Sequence, residues 1–511
     1  MKDQNPTALL LLPFGLVIFW LYNLYSSLDK VEKLLLMFIA TLIILLLGIV
    51  SFYFFSPWSK NNRKRLIQIK EIPKDLLNST PQSISMGVDD ILDETIYLPD
   101  QIRTRHVHIL GATGSGKTES VILNFLKQDV ERGLGSIILD AKGDHSFLRD
   151  LHSWVPSERL RIFDLTDPKS LGYDPLDDGS PLEAAQRLFS SLAWSEEYYK
   201  SKALTSLQRI FQVYSELNER NPVLFEVSQI LESPDSYSSF VNTADFPQAL
   251  AIKEFQDLSG LRDQVRSLTL GHLKTILSPS VESGIRINEA DSGVVIYFRL
   301  QSLMSPQIVS TVGKLVINHL NFLAGTAHRG GCGTEKMITP RKLIPVYLDE
   351  FATFACPEFA DLISKARSAG FALHFSHQSI GDVMEVSIGF LSRITDNAAT
   401  KIVLRINDPD SAEFLARCFG TKDIQKTTQR ITNTKDIDSA EVVGEGTSRD
   451  AHQFRASPDL LKTLPTGVGA VLIAHGQETP HGASSVFKIR FPELRKASQI
   501  DTRLKTIFDD L

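Results

Sequence analysis

Apolar residues in this chain fall into three patterns that differ in length and spacing. The first lies at the N-terminus. Residues 8–25 are apolar apart from a few polar positions and are interrupted by Pro13 and Gly15, whereas residues 34–55 carry no charge at all. Roughly 20 residues at ~1.5 Å each cross a ~30 Å hydrocarbon layer, so both runs are long enough for membrane helices. A cleaved signal peptide is the competing reading of the first run. Lys2 offset by Asp3 and the lack of an A-x-A-like site weigh against it. Lys60, Arg63, Lys64 and Arg65 follow the second run, which places that end in the cytoplasm. The expectation is a multi-pass anchor over residues 1–60 with both termini inside, followed by a cytoplasmic linker over 61–85 that contains Pro73 and Pro81.

The second pattern consists of short, continuous apolar runs at 107–110, 136–140, 160–165, 293–300, 343–348, 371–376 and 469–474. Several of them are separated by helical stretches, and strands apolar on both faces predict a parallel sheet covered by helices. The third pattern, over 181–276, has helical spacing and no convincing strand. Ala203, Leu207, Ile210, Phe211 and Tyr214 mark one face of a helix there. The predicted order is a first nucleotide-domain segment at 86–180, an all-helical inserted domain at 181–284, a second nucleotide-domain segment at 285–492 and a short tail at 493–511. In the tail Leu504, Ile507, Phe508 and Leu511 share a helical face, for packing on the chain's own domain or for docking a partner. The polar stretch 421–450 reads as a flexible loop.

At 511 residues the chain exceeds what one core supports, and its net charge of −6 lacks the basic excess of a simple nucleic-acid binder. Any nucleic-acid contact is therefore local. Lys200, Lys202 and Arg209 are candidates for one, with a solvated basic face as the plainer reading. Cys332, Cys356 and Cys418 have no metal-ligand spacing and read as free thiols.

The chemistry concentrates in HVHILGATGSGKT, residues 106–118. Gly111, Ala112, Thr113, Gly114, Ser115, Gly116, Lys117 and Thr118 form a phosphate loop between a strand and a helix. Its backbone N–H groups and helix N-terminus attract phosphate oxygens, Lys117 supplies a point charge, and Thr118 offers a hydroxyl to Mg2+. Asp349 and Glu350 end the strand at 343–348. In a phosphate-loop enzyme Asp349 joins the Mg2+ shell and Glu350 orients and polarises the attacking water. No N-K-x-D guanine-reading motif is present, so ATP is the expected nucleotide. Gln378, past the next strand, is placed to sense the terminal phosphate. Arg367, just before that strand, reads either as a surface charge or as a cation offered to a neighbouring subunit.

Residues 106–120, DAKGD at 140–144, YDPL at 173–176, YLDEFATFA at 347–355, KARSAGFALHFSHQS at 365–379 and the run at 397–421 together resemble the type IV coupling proteins of bacterial conjugation, the TraD/TraG type within the FtsK/HerA-like superfamily. The resemblance extends over about residues 86–476. It implies a RecA-like P-loop ATPase that uses ATP and Mg2+, is anchored in the bacterial inner membrane, assembles as a homo-hexamer, and passes relaxase-bound single-stranded DNA from the relaxosome to a type IV secretion channel. Carried over by motif, Lys117, Thr118, Asp349 and Glu350 are its Walker residues, Gln378 its sensor and Arg367 its arginine finger acting in trans. Two positions depart from the family: Asp174 stands where asparagine is common, and His377 where a small or threonine-like residue is common. The competing functions are an FtsK-like duplex DNA translocase and a nucleotide-gated receptor for secreted proteins.

Overall fold

In the computed structural model the chain divides into two compact units, Met1–Glu71 and Ile72–Leu511. The structure describes residues 72–242, 246–280, 284–302, 305–328, 342–428, 447–477 and 483–494, together with Asp29 and Leu45. The expected membrane helices, apart from Leu45, together with Cys332 and the apolar positions of the tail, lie outside the described residues. Among the described residues no helix is long and apolar enough to cross a membrane.

The second unit is built on an eleven-stranded sheet. In chain order its strands are β1 (Ser83–Asp89), β2 (Thr95–Pro99), β3 (Val107–Leu110), β4 (Ser136–Asp140) and β5 (Leu160–Asp164). A separate two-strand pair joins β6 (Gly172–Tyr173) to β7 (Gly284–Ile285). The main sheet continues with β8 (Val295–Arg299), β9 (Ile344–Asp349), β10 (Phe371–His377) and β11 (Thr400–Val403). β12 (Thr421–Thr428) and β13 (Thr447–Phe454) pair only with each other, and β14 (Val468–Ala474) and β15 (Ser484–Arg490) complete the sheet.

The strand order is β2-β1-β15-β14-β11-β3-β10-β9-β4-β8-β5. From β11 to β5 every pairing is parallel, and from β14 to β2 every pairing is antiparallel. This is an α/β RecA-like sheet, mostly parallel. Every residue of β3, β4, β8, β9 and β10 is buried, because helices cover both faces, and that is why these strands read as unbroken apolar runs rather than alternating ones. Under β9 and β10 an aromatic cluster of Phe351, Phe354, Phe359, Phe375 and Phe390 fills the core. Each such ring contributes roughly 1.5–3 kcal/mol by leaving water.

Between Pro181 and Ile276 the described residues form seven helices, beginning at Ser180, which caps Pro181–Ser191 in a reciprocal box with Glu183. Ala203, Leu207, Ile210, Phe211 and Tyr214 are the buried face of Glu197–Asn218. The basic residues of that helix are already engaged within the chain. Lys200 pairs with Glu197 at 3.3 Å, Lys202 lies over Tyr198, and Arg209 pairs with Glu254 at 2.8 Å and stacks on Phe246.

Two local expectations are corrected. The stretch read as a flexible loop contains the β12–β13 ribbon, paired in register from Thr421↔Phe454 to Thr428↔Thr447. The ribbon stands apart from the main sheet, and its side chains whose burial is described are exposed or half-buried, so they impose no period-two apolar pattern. The stretch read as linker ends earlier than expected, since Ser83 already pairs with Pro99.

Candidate active site

The register of the parallel strands brings the motifs together. β3 ends beside β10 with His377↔Leu110, and β9 ends beside β4 with Asp140↔Asp349, so the loops after all four strands leave from the same carboxyl edge. That edge is where open α/β sheets bind ligands.

After Leu110 the chain turns through Gly111–Gly116 and enters a helix at Lys117 whose first six residues are π-helical. Gly116 takes φ 101°, and a Cβ there would lie 2.9 Å from Ser120 Oγ and 3.1 Å from the backbone nitrogen of Gly467, so only glycine fits. Lys117 is buried. Its Nζ donates to Gly111 O at 2.6 Å and lies 3.9 Å from Glu350 Oε1. Burial lowers its pKa below the usual lysine range, and Glu350 opposes that shift without cancelling it.

Asp349 is held from two sides. Thr118 Oγ1 donates to its Oδ2 and Ser376 Oγ to its Oδ1, each at 2.6 Å. Glu350 adopts a left-handed backbone, φ 51° and ψ 49°, a strained conformation for a residue with a Cβ. Its carboxylate accepts from Gln378 Nε2 at 3.3 and 3.2 Å, and Gln378 Oε1 accepts from Thr113 Oγ1 at 2.8 Å. Thr113, Gln378 and Glu350 thus form a chain of side chains from the phosphate loop to the end of β9.

The residues present fit a magnesium-bound nucleotide. Ser115 Oγ is buried within the loop without a hydrogen-bond partner among the described residues, an unsatisfied polar atom inside the phosphate loop. Thr118 and Asp349 offer the hard oxygen ligands that Mg2+ takes. Among the described residues no group of three or more His, Cys, Asp or Glu side chains could hold a metal, so Mg2+ here needs phosphate or water oxygens as well.

Arg367 is not part of this cluster. It is exposed, in the short helix Ala366–Ala369 that precedes β10, whereas Gln378 follows β10. Seven strand residues at ~3.3 Å each separate the two edges by roughly 20 Å.

Sequence reading passed over three contributors. Lys142 Nζ lies 2.5 Å from Glu350 Oε1, Ser376 orients Asp349, and Asp140 organises the loop that carries Lys142. The signal for Asp140 and Lys142 was DAKGD at the end of a strand, which gains meaning only once β4 is known to neighbour β9, and Ser376 lay unmarked within the apolar run of β10.

Two family profiles match the chain, one described as the central domain of helicase HerA over residues 93–266, and one as the TraM recognition site of TraD and TraG over residues 344–465. Type 4 coupling protein DotL of Legionella pneumophila is 23% identical over 438 residues, which are 72% of this chain. The chain is a homologue of the type IV coupling proteins. It spans about half of that curated relative, 55% of its length. Among solved structures, the unbound bacterial conjugative coupling protein TrwBdeltaN70 matches the coupling-protein homologue with a TM-score of 0.59 at 15% identity, covering 82% of this chain and 92% of that one. TrwB in complex with ADP and Mg2+ matches with a TM-score of 0.56 at 14% identity, covering 81% and 90%. At these identities the likeness establishes a shared fold.

Proposed function

We propose that the protein is a membrane-anchored ATPase that couples ATP hydrolysis to delivery of relaxase-bound single-stranded DNA into a type IV secretion channel. The observation that carries the reading is the closed network at the carboxyl edge of the sheet, in which Lys117, Thr118–Asp349, Glu350 and Gln378 converge from three separate strand ends. Residues 111–118 hold the phosphates, with Lys117 neutralising charge and the loop N–H groups directed at oxygen. Thr118 and Asp349 hold Mg2+, which when bound screens the phosphate charge. Glu350 orients the attacking water, and Gln378 keeps the Glu350 carboxylate in register with Thr113 of the phosphate loop. The TrwB complex with ADP and Mg2+ supports this use of the fold. The apolar runs at 8–25 and 34–55 are the proposed inner-membrane anchor, and a homo-hexamer supplies Arg367 from one subunit to the next.

Turnover by the full-length protein in detergent, with and without single-stranded DNA, tests the reading. We expect single-stranded DNA to stimulate ATP hydrolysis several-fold, and Lys117→Ala to lower turnover by at least ~10²-fold. Turnover indifferent to single-stranded DNA would favour a nucleotide-gated protein receptor. Stimulation by duplex DNA alone would favour an FtsK-like translocase.

A further inference from the structure

Lys142 lies outside the phosphate loop and the Asp349–Glu350 pair, yet it makes the shortest ionic contact to the proposed water-orienting carboxylate, 2.5 Å from Nζ to Glu350 Oε1. That contact is built by the loop that carries it. Asp140, at the tip of β4, accepts from the backbone nitrogens of Lys142 at 2.8 Å, Gly143 at 3.0 Å and Asp144 at 3.2 Å. Tyr297 Oη donates to the same carboxylate at 2.7 Å. Gly143 has φ 65°, and a Cβ there would lie 2.1 Å from Gln301 Cγ, so the loop has no alternative residue at that corner. Arg299 Nε donates to Gly143 O at 2.9 Å, and the Ser302 nitrogen to Ala141 O at 2.7 Å. With the backbone on both sides of Lys142 held, the base of its side chain is fixed beside Glu350.

The three charged groups differ in exposure. The Lys117 side chain is 4% exposed and that of Glu350 11%, whereas that of Lys142 is 44% exposed. Lys142 therefore reaches in from the rim and is free to swing. Two ammonium groups share one carboxylate oxygen, Lys142 at 2.5 Å and Lys117 at 3.9 Å. A terminal phosphate carries more negative charge than one carboxylate and accepts the same hydrogen bonds, so it competes with Glu350 for both cations.

We propose that Lys142 is a second phosphate-reading cation and a positioning residue for Glu350. It pairs with the Glu350 carboxylate before nucleotide binds, and moves to the terminal phosphate of a nucleoside triphosphate, leaving Glu350 free to hold water. A diphosphate lacks that terminal group, so the exchange distinguishes the two nucleotides. The proposal rests on the reading of this site as an ATP-hydrolysing one.

The test is the affinity of the full-length protein, in detergent with Mg2+, for ADP and for a non-hydrolysable ATP analogue, measured by calorimetry with melting temperatures alongside. Lys142→Ala is expected to weaken analogue binding about tenfold, the scale of one lost charge-assisted contact, and to leave ADP binding and melting temperature unchanged. Lys142→Arg should keep most of the preference for the triphosphate, and Lys142→Gln, which retains bulk, should lose it as Lys142→Ala does. Equal loss for both nucleotides, or no change in either, overturns the proposal. Lys117→Ala separates the two readings. If it leaves both nucleotides bound as in the wild type, the nucleotide site itself is wrong. If it abolishes binding while Lys142→Ala leaves the preference intact, only the role of Lys142 falls.

Discussion

At the scale of single residues, Asp174 shows how one departure from a family pattern leaves a measurable signature. It sits in the turn after β6, where its Oδ1 accepts from the Leu176 nitrogen at 2.9 Å. Burial raises its pKa to about 7, with Asp177 and Glu226 adding to the shift and the Leu176 N–H and Arg187 opposing it. An unfolded aspartate titrates near ~3.9, so between about pH 4 and pH 7 the folded chain keeps a proton that the unfolded chain has released. The contribution to stability is complete below the unfolded value and is lost as pH rises through the folded one. Asp174→Asn removes the ionisation while keeping the shape and an acceptor for Leu176. We expect the variant to melt higher than the wild type at pH 8, by on the order of 2–4 kcal/mol of stability, with the difference shrinking toward pH 5. A difference that does not change with pH would show that Asp174 is not protonated in the fold.

At the scale of elements, β3 and β10 are joined by more than their ladder. His106 immediately precedes β3 and His108 lies within it, and His374 and His377 lie within β10, all four buried. Their partners define neutral tautomers. His377 Nδ1 lies 2.7 Å from Ser379 O and must carry the proton, so its Nε2 accepts from His108 Nε2 at 2.6 Å. His106 Nε2 donates to Ile363 O at 2.9 Å while its Nδ1 accepts from the Leu373 nitrogen at 3.2 Å. Burial lowers His106 and His377 to about 4, and His108 and His374 well below the ordinary histidine value. With folded pKa values below unfolded ones, the stability from these rings is complete above about pH 6.5 and is lost as pH falls toward 4. Unfolding near pH 5 should therefore take up about four protons through these rings and release about one from Asp174, a net uptake of about three read as the slope of urea-derived stability against pH. A flat profile between pH 7 and 5 would contradict the neutral pairing. Because Gly111 N donates to His377 O at 3.3 Å, acid loosening of this strand pair should reach the phosphate loop first.

At the scale of the whole molecule, the position of Arg367 bears on assembly. The arginine is exposed on the amino edge of the sheet, and Lys117, Glu350 and Gln378 gather on the carboxyl edge, so within one chain it serves no nucleotide of its own. A ring in which the amino edge of one subunit faces the carboxyl edge of the next is the arrangement that would use it. Arg367→Ala and Lys117→Ala are each expected to be nearly inactive alone. Mixed in equal amounts, they should recover partial turnover, because some interfaces then join an intact loop to an intact arginine. An arginine finger can supply ~10³–10⁵ in rate, so even a minority of such interfaces is detectable. Mixtures no more active than their components would exclude action in trans.

The amino-acid sequence alone was enough to read the parts whose physics is local. A glycine-rich turn between an apolar strand and a helix admits few uses besides anion binding. Strands buried on both faces announce themselves as continuous apolar runs, and the face of Glu197–Asn218 appears in the spacing of Ala203, Leu207, Ile210, Phe211 and Tyr214. Gln378 was legible because it follows a strand near Asp349 in the same motif series. Lys142 was not, since nothing in DAKGD specifies that β4 lies beside β9, and only that adjacency puts its ammonium on Glu350. The β12–β13 ribbon was equally hidden, because a strand pair that stands apart from the main sheet carries little periodic apolar mark. Pairings between residues hundreds of positions apart, such as Thr118 with Asp349 or His108 with His377, depend on strand order and register. Those are set by packing the whole sheet, and only the tertiary structure decided them.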